Sequence, residues 1–283
     1  MRLPAGATEI LIACGDTPLL EPSTISALIT ARRAAKVPLA LAAFHAEDPT
    51  GYGRVELNDA GRATCITEER DASPETRESD LVNAGLYVVE RAWLETALKG
   101  LVASKATGEI YLTDLVAAAA AAGSPAPILL GSGGDLEGVN DRRQFADAAA
   151  ALRERINAGH MERGVGMVDP TTIWIDPTVE IAADVTIEPN VMISGDTTIG
   201  ARSRIESGSR IHQSQIGEGC TVRSSDISES RLRDGAEVGP FAHIRPGCDI
   251  GAGAHVGNYA ELKATTLGAR VKVGHHSYLG DTT

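Results

Sequence analysis

Gly15-Asp16, at the end of the apolar run EILIAC (residues 9–14), is the first pair in this chain with the chemistry to hold a ligand. Ligands bind outside the carboxyl ends of strands in open α/β sheets. A carboxylate there suits a hard cation such as Mg2+ and can hold it against phosphate oxygens. Further on, GYGR offers Gly51 and Gly53, whose missing side chains let backbone approach a ligand closely. Each signal is weak alone. A Gly-Asp after a strand is often an ordinary turn, and Asn83 and Asn140 in isolation read as turn or cap residues. Their order and spacing together carry the weight.

The elements that must position these residues alternate in type. EILIAC is a short strand, and Ser23 to Ala35 reads as a helix that Ser23 can cap, with Ile25, Leu28 and Ile29 on its apolar side. PLALAAFHA is the next strand, and DPTGYGRV is a Gly-rich turn into another. LVNAGLYVVE is a strand, RAWLETALKGL a helix, and EIYLTDLVAAAAAAG a second helix ended by Gly123. This alternation predicts an α/β domain. From Asp141 to about Gly159 the chain is a polar, Ala-rich helix whose composition suits a connecting rod.

The C-terminal part follows a different rule. From Ile175 an aliphatic residue returns every sixth position to Leu279, with four steps of five: Ile211 to Ile216, Val222 to Ile227, Ile227 to Leu232 and Leu262 to Leu267. A helix period of 3.6 cannot keep such a series on one face, nor can simple strand alternation. A repeating short strand plus turn can, with each aliphatic residue pointing inward as the chain winds. Three hexapeptides per turn make a triangular prism, and a five-residue step removes one corner residue without disturbing the inward phase. The series therefore predicts a hexapeptide β-solenoid of about six coils.

Net charge is −12 and both parts are acidic, so nucleic acid and anionic membrane are poor partners. Local Arg and Lys can still bind a phosphate. Cys14, Cys65, Cys220 and Cys248 lack metal-type spacing and read as reduced, buried small hydrophobes of a cytoplasmic protein. No apolar run reaches transmembrane length, and the opening residues lack the pattern of a signal peptide.

Taken in order, GDTPLL, GYGRV, ITEERDAS, LVNAGLYV, GEIYLTD and GVNDR, then HIRPGCDIG, VGNYAELKATTLG and VKVGHHSYLGD, resemble a known family. It is that of the bacterial bifunctional N-acetylglucosamine-1-phosphate uridyltransferase and glucosamine-1-phosphate N-acetyltransferase. The resemblance covers essentially the whole chain. It implies a partial α/β nucleotidyltransferase (Rossmann-like) domain over 1–141 and a helical linker over 142–165. A partial left-handed parallel β-helix of hexapeptide repeats, the acetyltransferase, would fill 166–283. The implied activities are the last two steps of UDP-N-acetylglucosamine synthesis, which supplies cell-wall and lipopolysaccharide precursors. Acetyl-CoA acetylates glucosamine-1-phosphate, then UTP uridylylates N-acetylglucosamine-1-phosphate with Mg2+.

Carried over residue by residue, the resemblance implies that Asp16 and Asn140 hold the metal. Gly53, Glu68, Asn83 and Asn140 would contact the uridine-diphospho-sugar, with Cys14 and Gly15 beside it. In the solenoid it implies Arg245, Lys263 and Tyr278 on the sugar phosphate and His275 as general base, an imidazole titrating near neutrality being suited to that task. His276, next along an extended segment, is expected to face the other way. The family's implied homotrimer would build acetyl sites between neighbouring chains.

The family begins with a strand and a loop of the form LAAGxGTRM followed by a lysine, and no such segment occurs here. Its further C-terminal coils are also absent. The chain is thus expected to be an internal portion of a longer protein, with both sites half built. Two other readings compete: a single-function sugar-nucleotide pyrophosphorylase with a regulatory or trimerising solenoid, and a trimeric scaffold without activity. The set Arg245, Lys263, His275 and Tyr278 discriminates, since a regulatory solenoid has no reason to carry it.

Overall fold

A computed structural model describes residues 6–103 and 108–283, so the reading of the first five residues lies outside the described residues. The chain divides into two compact units, Met1–Ala148 and Ala149–Thr283.

In the first unit the strands are β1 (Glu9–Ile12), β2 (Leu39–His45), β3 (Arg54–Leu57), β4 (Arg62–Thr67), β5 (Leu81–Glu90) and β6 (Ala126–Leu130). The helices are α1 (Pro22–Ala35), α2 (Pro74–Arg77), α3 (Arg91–Ala97), α4 (Asp114–Ala121), α5 (Gly133–Leu136) and α6 (Arg142–Glu162), the last crossing the unit boundary. The sheet runs β1-β5-β2-β6-β4-β3. β2 explains the layering. In LALAAFH every residue but His45 is buried, which marks a strand covered on both faces. Leu39, Leu41 and Ala43 join one core with Leu94 of α3 and with Leu115 and Val116 of α4. Ala40, Ala42 and Phe44, pointing the other way by strand alternation, join a second core with Leu28 of α1. Burying Leu39, Leu41 and Phe44 alone contributes about 5–9 kcal/mol before chain entropy is counted.

The sheet is mixed. β5 lies between β1 and β2 and runs antiparallel to both, while β2 and β6 are parallel. Two helix starts also differ from the sequence reading. α1 begins at Pro22 with Glu21 in the cap position, because proline is preset for the first helical residue; Ser23 instead hydrogen-bonds Glu21 Oε2 at 3.0 Å. α4 begins only at Asp114, with Thr113 in the cap position; its Oγ1 donates to Glu68 Oε1 at 2.7 Å and makes no capping bond. Gly123 does follow the last turn of α4, in the left-handed region (φ 77°).

The second unit is a parallel β-solenoid of three sheets. Each inward aliphatic residue pairs with its counterpart one coil on. One sheet stacks Ile187, Ile205, Val222, Val238, Val256 and Val273. The next stacks Ile193, Ile211, Ile227, Ile244, Leu262 and Leu279. The four five-residue steps share one device. Gln213, Ser224, Glu229 and Ala264 sit at φ 43°, 39°, 44° and 44°. Each is followed by a buried hydroxyl that closes the corner onto the carbonyl two residues back: Ser214, Ser225, Ser230 and Thr265, at 2.7, 2.6, 2.8 and 2.9 Å.

The α6 residues of this unit do more than span. Asn157, wholly buried, donates through Nδ2 to the carbonyls of Pro170 (2.8 Å) and Ile173 (2.9 Å), tying the helix to the first coil. Arg153 stacks over Trp174 at 4.7 Å. A solenoid end needs such a cover, because its terminal ladder has no next coil to pack on. All four cysteines are free, yet only Cys220 and Cys248 are the buried hydrophobes expected. Cys14 is exposed because it lies past the end of β1, and Cys65 is half-buried.

Candidate functional sites

The pairing of β1 with β5 (Ile12 opposite Tyr87) carries the residues after β1 alongside the first half of β5. A cleft of about 500 Å³ opens there, lined by Cys14, Asp16, Gly53, Glu68, Asn83 and Asn140 among others. Gly15 lies between two of these residues but is not itself part of the lining.

Each wall has a local cause. Asn83 N donates to Gly53 O at 2.9 Å, which fixes the GYGR turn against β5. A side chain at Gly53 would place its Cβ 2.8 Å from Ile66 Cγ2, which would have to shift, while Glu68 Oε2 at 3.6 Å would stay in ordinary contact. Gly85 has φ 68°, and a Cβ on it would fall 2.5 Å from Cys14 Sγ. Asp16 is anchored through its carbonyl, which accepts from Val139 N at 2.8 Å. Asn140 precedes a capping box at the start of α6: Gln144 Oε1 accepts from Asn140 N (2.6 Å) and Asp141 N (3.2 Å), and Asp141 Oδ1 accepts from Gln144 N (2.8 Å).

Under the cleft the Arg54 guanidinium, 2% exposed, pairs with Glu69 at 2.8 Å. It also donates to the Tyr52 carbonyl and to Ser79 O (3.0 Å). It therefore clamps the neighbours of both Gly53 and Glu68. Desolvation, and then the charge of Asp16, push the Cys14 thiol up, so Cys14 is neutral at pH 7 and no thiolate nucleophile faces the cleft. Burial likewise pushes the Tyr87 hydroxyl up against the pull of its hydrogen bond with Asn83, leaving a neutral phenol to orient that amide.

The sequence reading missed Tyr52, Gly85, Gly138 and Gln144, all of which line the cleft. The spacing Asp141-x-x-Gln144 was a legible capping signal. Gly85 was not legible, because its requirement arises from Cys14 on another strand.

On the solenoid, strand pairing sets Glu261 opposite both His243 and Tyr278, and Lys263 opposite Gly280. Arg245, which follows His243, lies on the adjoining coil, its N donating to Leu262 O at 2.8 Å. Arg245, Lys263 and Tyr278 thus share one face across three adjacent coils. Both cations have acidic neighbours: Arg245 bonds Glu261 at 2.9 Å, and Lys263 lies 3.6 Å from Asp281. His275 occupies the corner before the Tyr278–Gly280 strand. The segment there is not extended. His276 sits at φ 50°, and its ring stacks on Tyr259 at 5.2 Å, with the His275 ring edge-on at 5.5 Å. A corner, not strand alternation, separates the two imidazoles.

Among the described residues no group of three or more His, Cys, Asp or Glu side chains is arranged to hold a metal ion, and no helix is long and apolar enough to cross a membrane.

Residues 6–153 match the nucleotidyl transferase family, and residues 178–213 and 229–264 match the bacterial transferase hexapeptide (six repeats) family. The chain is 41% identical over 274 residues to the bifunctional protein GlmU of Streptococcus equi subsp. zooepidemicus, covering 96% of this chain and 60% of that protein. It is 43% identical over 273 residues to the bifunctional protein GlmU of Anaeromyxobacter dehalogenans, covering 96% and 56%. The chain therefore spans less than two thirds of the length of the curated relatives it matches.

Proposed function

This chain belongs to the nucleotidyl transferase family and carries transferase hexapeptide repeats, and from that premise we propose that its two units serve the last two steps of UDP-N-acetylglucosamine synthesis. The solenoid serves acetyl transfer from acetyl-CoA to glucosamine-1-phosphate. The mixed-sheet unit serves uridylyl transfer from UTP to N-acetylglucosamine-1-phosphate. The observation that carries the reading is the gathering of Cys14, Asp16, Gly53, Glu68, Asn83 and Asn140, distant in sequence, around one cleft.

In that cleft a sugar-1-phosphate oxygen attacks the α-phosphorus of UTP, and pyrophosphate leaves. The phosphate is already a nucleophile, so the chain's task is alignment. Gly53 and Asn83, locked by their mutual backbone hydrogen bond, orient the uridine-diphospho-sugar, and Glu68, fixed by Thr113, meets it from the facing wall. Asp16 and Asn140 offer one carboxylate and one amide oxygen on the same cleft. Those hard donors fit Mg2+ held jointly with substrate phosphates and water, and they do not fit an all-protein cage. When bound, the ion neutralises phosphate charge.

At the solenoid, Arg245 and Lys263 bind the phosphate of glucosamine-1-phosphate, with Tyr278 as a further hydrogen bond. Their ion pairs with Glu261 and Asp281 are substantially exposed, and such pairs contribute at most about 1 kcal/mol, so a doubly charged phosphate competes with them. His275 takes a proton from the sugar amine as the amine adds to the thioester carbonyl, and the coenzyme A thiolate leaves. The assembly is a homotrimer in the cytoplasm, the solenoid faces packing about a threefold axis.

Titration calorimetry with UDP-N-acetylglucosamine in the presence of Mg2+ tests the cleft. The expected result is saturable binding that Asn83→Ala and Asp16→Ala each abolish. Binding unaffected by either substitution would overturn the assignment.

A further inference from the structure

One corner of the solenoid passes through left-handed backbone in every coil after the first. From the second coil upward, the residue there is Asn190 (φ 60°), Gly208 (75°), Ser224 (39°), Phe241 (58°), Tyr259 (55°) and His276 (50°). Backbone hydrogen bonds join the upper coils at this corner: Phe241 N to Ser224 O (3.0 Å), Tyr259 N to Pro240 O (3.3 Å) and His276 N to Asn258 O (3.1 Å). Left-handed backbone disfavours most L-residues by roughly 1–2 kcal/mol, with glycine and asparagine the routine exceptions. Asn190 and Gly208 are such residues and Ser224 is small, so the corner itself does not call for an aromatic side chain. Phe241 and Tyr259 are the disfavoured kind.

Nor are the aromatic rings core residues. Phe241 is 55% exposed and Tyr259 53% exposed. They lie instead in a stack: Phe241 on Tyr259 at 5.3 Å and 22°, then Tyr259 on His276 at 5.2 Å and 3°. The last ring of the stack meets His275 edge-on, at 5.5 Å and 79°. Non-glycine residues with positive φ also stand at other corners, such as Arg202 and Arg270, so it is the ring stack that sets this corner apart. It ends on the imidazole proposed as the base.

We propose that Phe241, Tyr259 and His276 are positioning residues, a stack that holds the His275 imidazole in one orientation for proton removal from the amine. The inference rests on the acetyl-transfer reading of His275. None of the three touches the reacting atoms. The stack fixes the plane of the His276 ring, and the perpendicular edge contact then removes rotamers from His275. A base whose lone pair must meet one N–H gains from that restriction, since misplacement by about 1 Å can lower a rate by about a hundredfold.

Tyr259→Asn is the decisive variant, because asparagine suits the backbone and already occupies this corner at Asn190. In the 283-residue chain the thermal midpoint should hold or rise, while ¹³C relaxation at His275 Cε1 should show loss of side-chain order. Tyr259→Phe should restore that order, and His276→Asn should lose it. In a chain extended to the length of its relatives, Tyr259→Asn should lower kcat for acetyl transfer about ten- to a hundredfold with KM for glucosamine-1-phosphate unchanged. His275 order unchanged in Tyr259→Asn would overturn the proposal, and so would a midpoint that falls together with the order. If the extended wild-type chain transfers no acetyl group, the base reading of His275 fails, while the relaxation data still decide whether the stack orders the ring.

Discussion

Cys14 and Gly85 reach the cleft from β1 and β5, strands far apart in sequence that run antiparallel, so their contact exists only once the sheet has formed. Arg245 and Lys263 reach their shared face from adjoining coils of one sheet, where strand pairing repeats the same register coil after coil. The first site is made by long-range closure, the second by local repetition. Their sensitivities should differ accordingly. A solenoid coil depends on its two neighbours, so damage stays near its origin. The cleft depends on a clamp such as Arg54, which holds the neighbours of Gly53 and Glu68 at once.

The sharpest break of this comparison is chemical. In the chain extended to the length of its relatives, Asp16→Ala should abolish uridylyl transfer and leave acetyl transfer intact, measured on one preparation. Equal loss of both with an unchanged circular dichroism spectrum would make Asp16 structural. On the other side, His275→Ala should cut acetyl transfer at least about a hundredfold with little change in KM, whereas Arg245→Ala should chiefly raise KM for glucosamine-1-phosphate.

Next come two stability effects, read by urea unfolding. Arg54→Met leaves Glu69 only the more distant Arg77, at 3.9 Å, strips the donors from the Tyr52 and Ser79 carbonyls, and should destabilise the first unit by about 3–5 kcal/mol. Ile227→Ala in the solenoid core should cost about 2–5 kcal/mol. Lying in separate units, the two effects should add within about 0.5 kcal/mol in the double variant. A larger discrepancy would mean that the units do not unfold independently.

A smaller difference appears with pH. Burial, and then the charge of Arg163, hold His160 below its ordinary value of 6.5. The folded state thus favours the neutral ring. The associated stability is present above about pH 6.5 and is lost as pH falls through the lowered folded value. In the cleft unit, Glu9 is held below its ordinary 4.5 by its hydrogen bond to Arg33 and by Arg32, so its contribution survives until the pH falls further. The solenoid unit should therefore weaken first on acidification, and His160→Gln should remove much of that early loss in a thermal-melt pH series.

The smallest effect belongs to a corner. Gln213→Gly, at φ 43°, should stabilise the solenoid slightly, because glycine meets no Cβ penalty in left-handed backbone. A lowered thermal midpoint would show that the Gln213 side chain contributes more than its backbone conformation opposes.

The aliphatic series from Ile175 to Leu279 determined the solenoid outright: a hexapeptide period admits one winding, in which residues one and two steps apart line different sheets and those three steps apart stack on the same one. Even the five-residue steps were legible in the spacing, while the buried Ser or Thr that closes each shortened corner came from the structure. In the first unit the alternation of strand and helix patterns, the continuous apolar run of β2 and the motifs around Asp16, Gly53 and Asn83 were readable, because each is local. Tertiary structure alone decided the rest. It set β5 antiparallel between β1 and β2, left Cys14 exposed at a cleft edge, bonded the Thr113 hydroxyl to Glu68, and stacked His276 on Tyr259 at a left-handed corner, edge-on to His275. Each of those outcomes depends on a partner far along the chain or one coil away, and a contact of that kind leaves no periodic signal in the residues that make it.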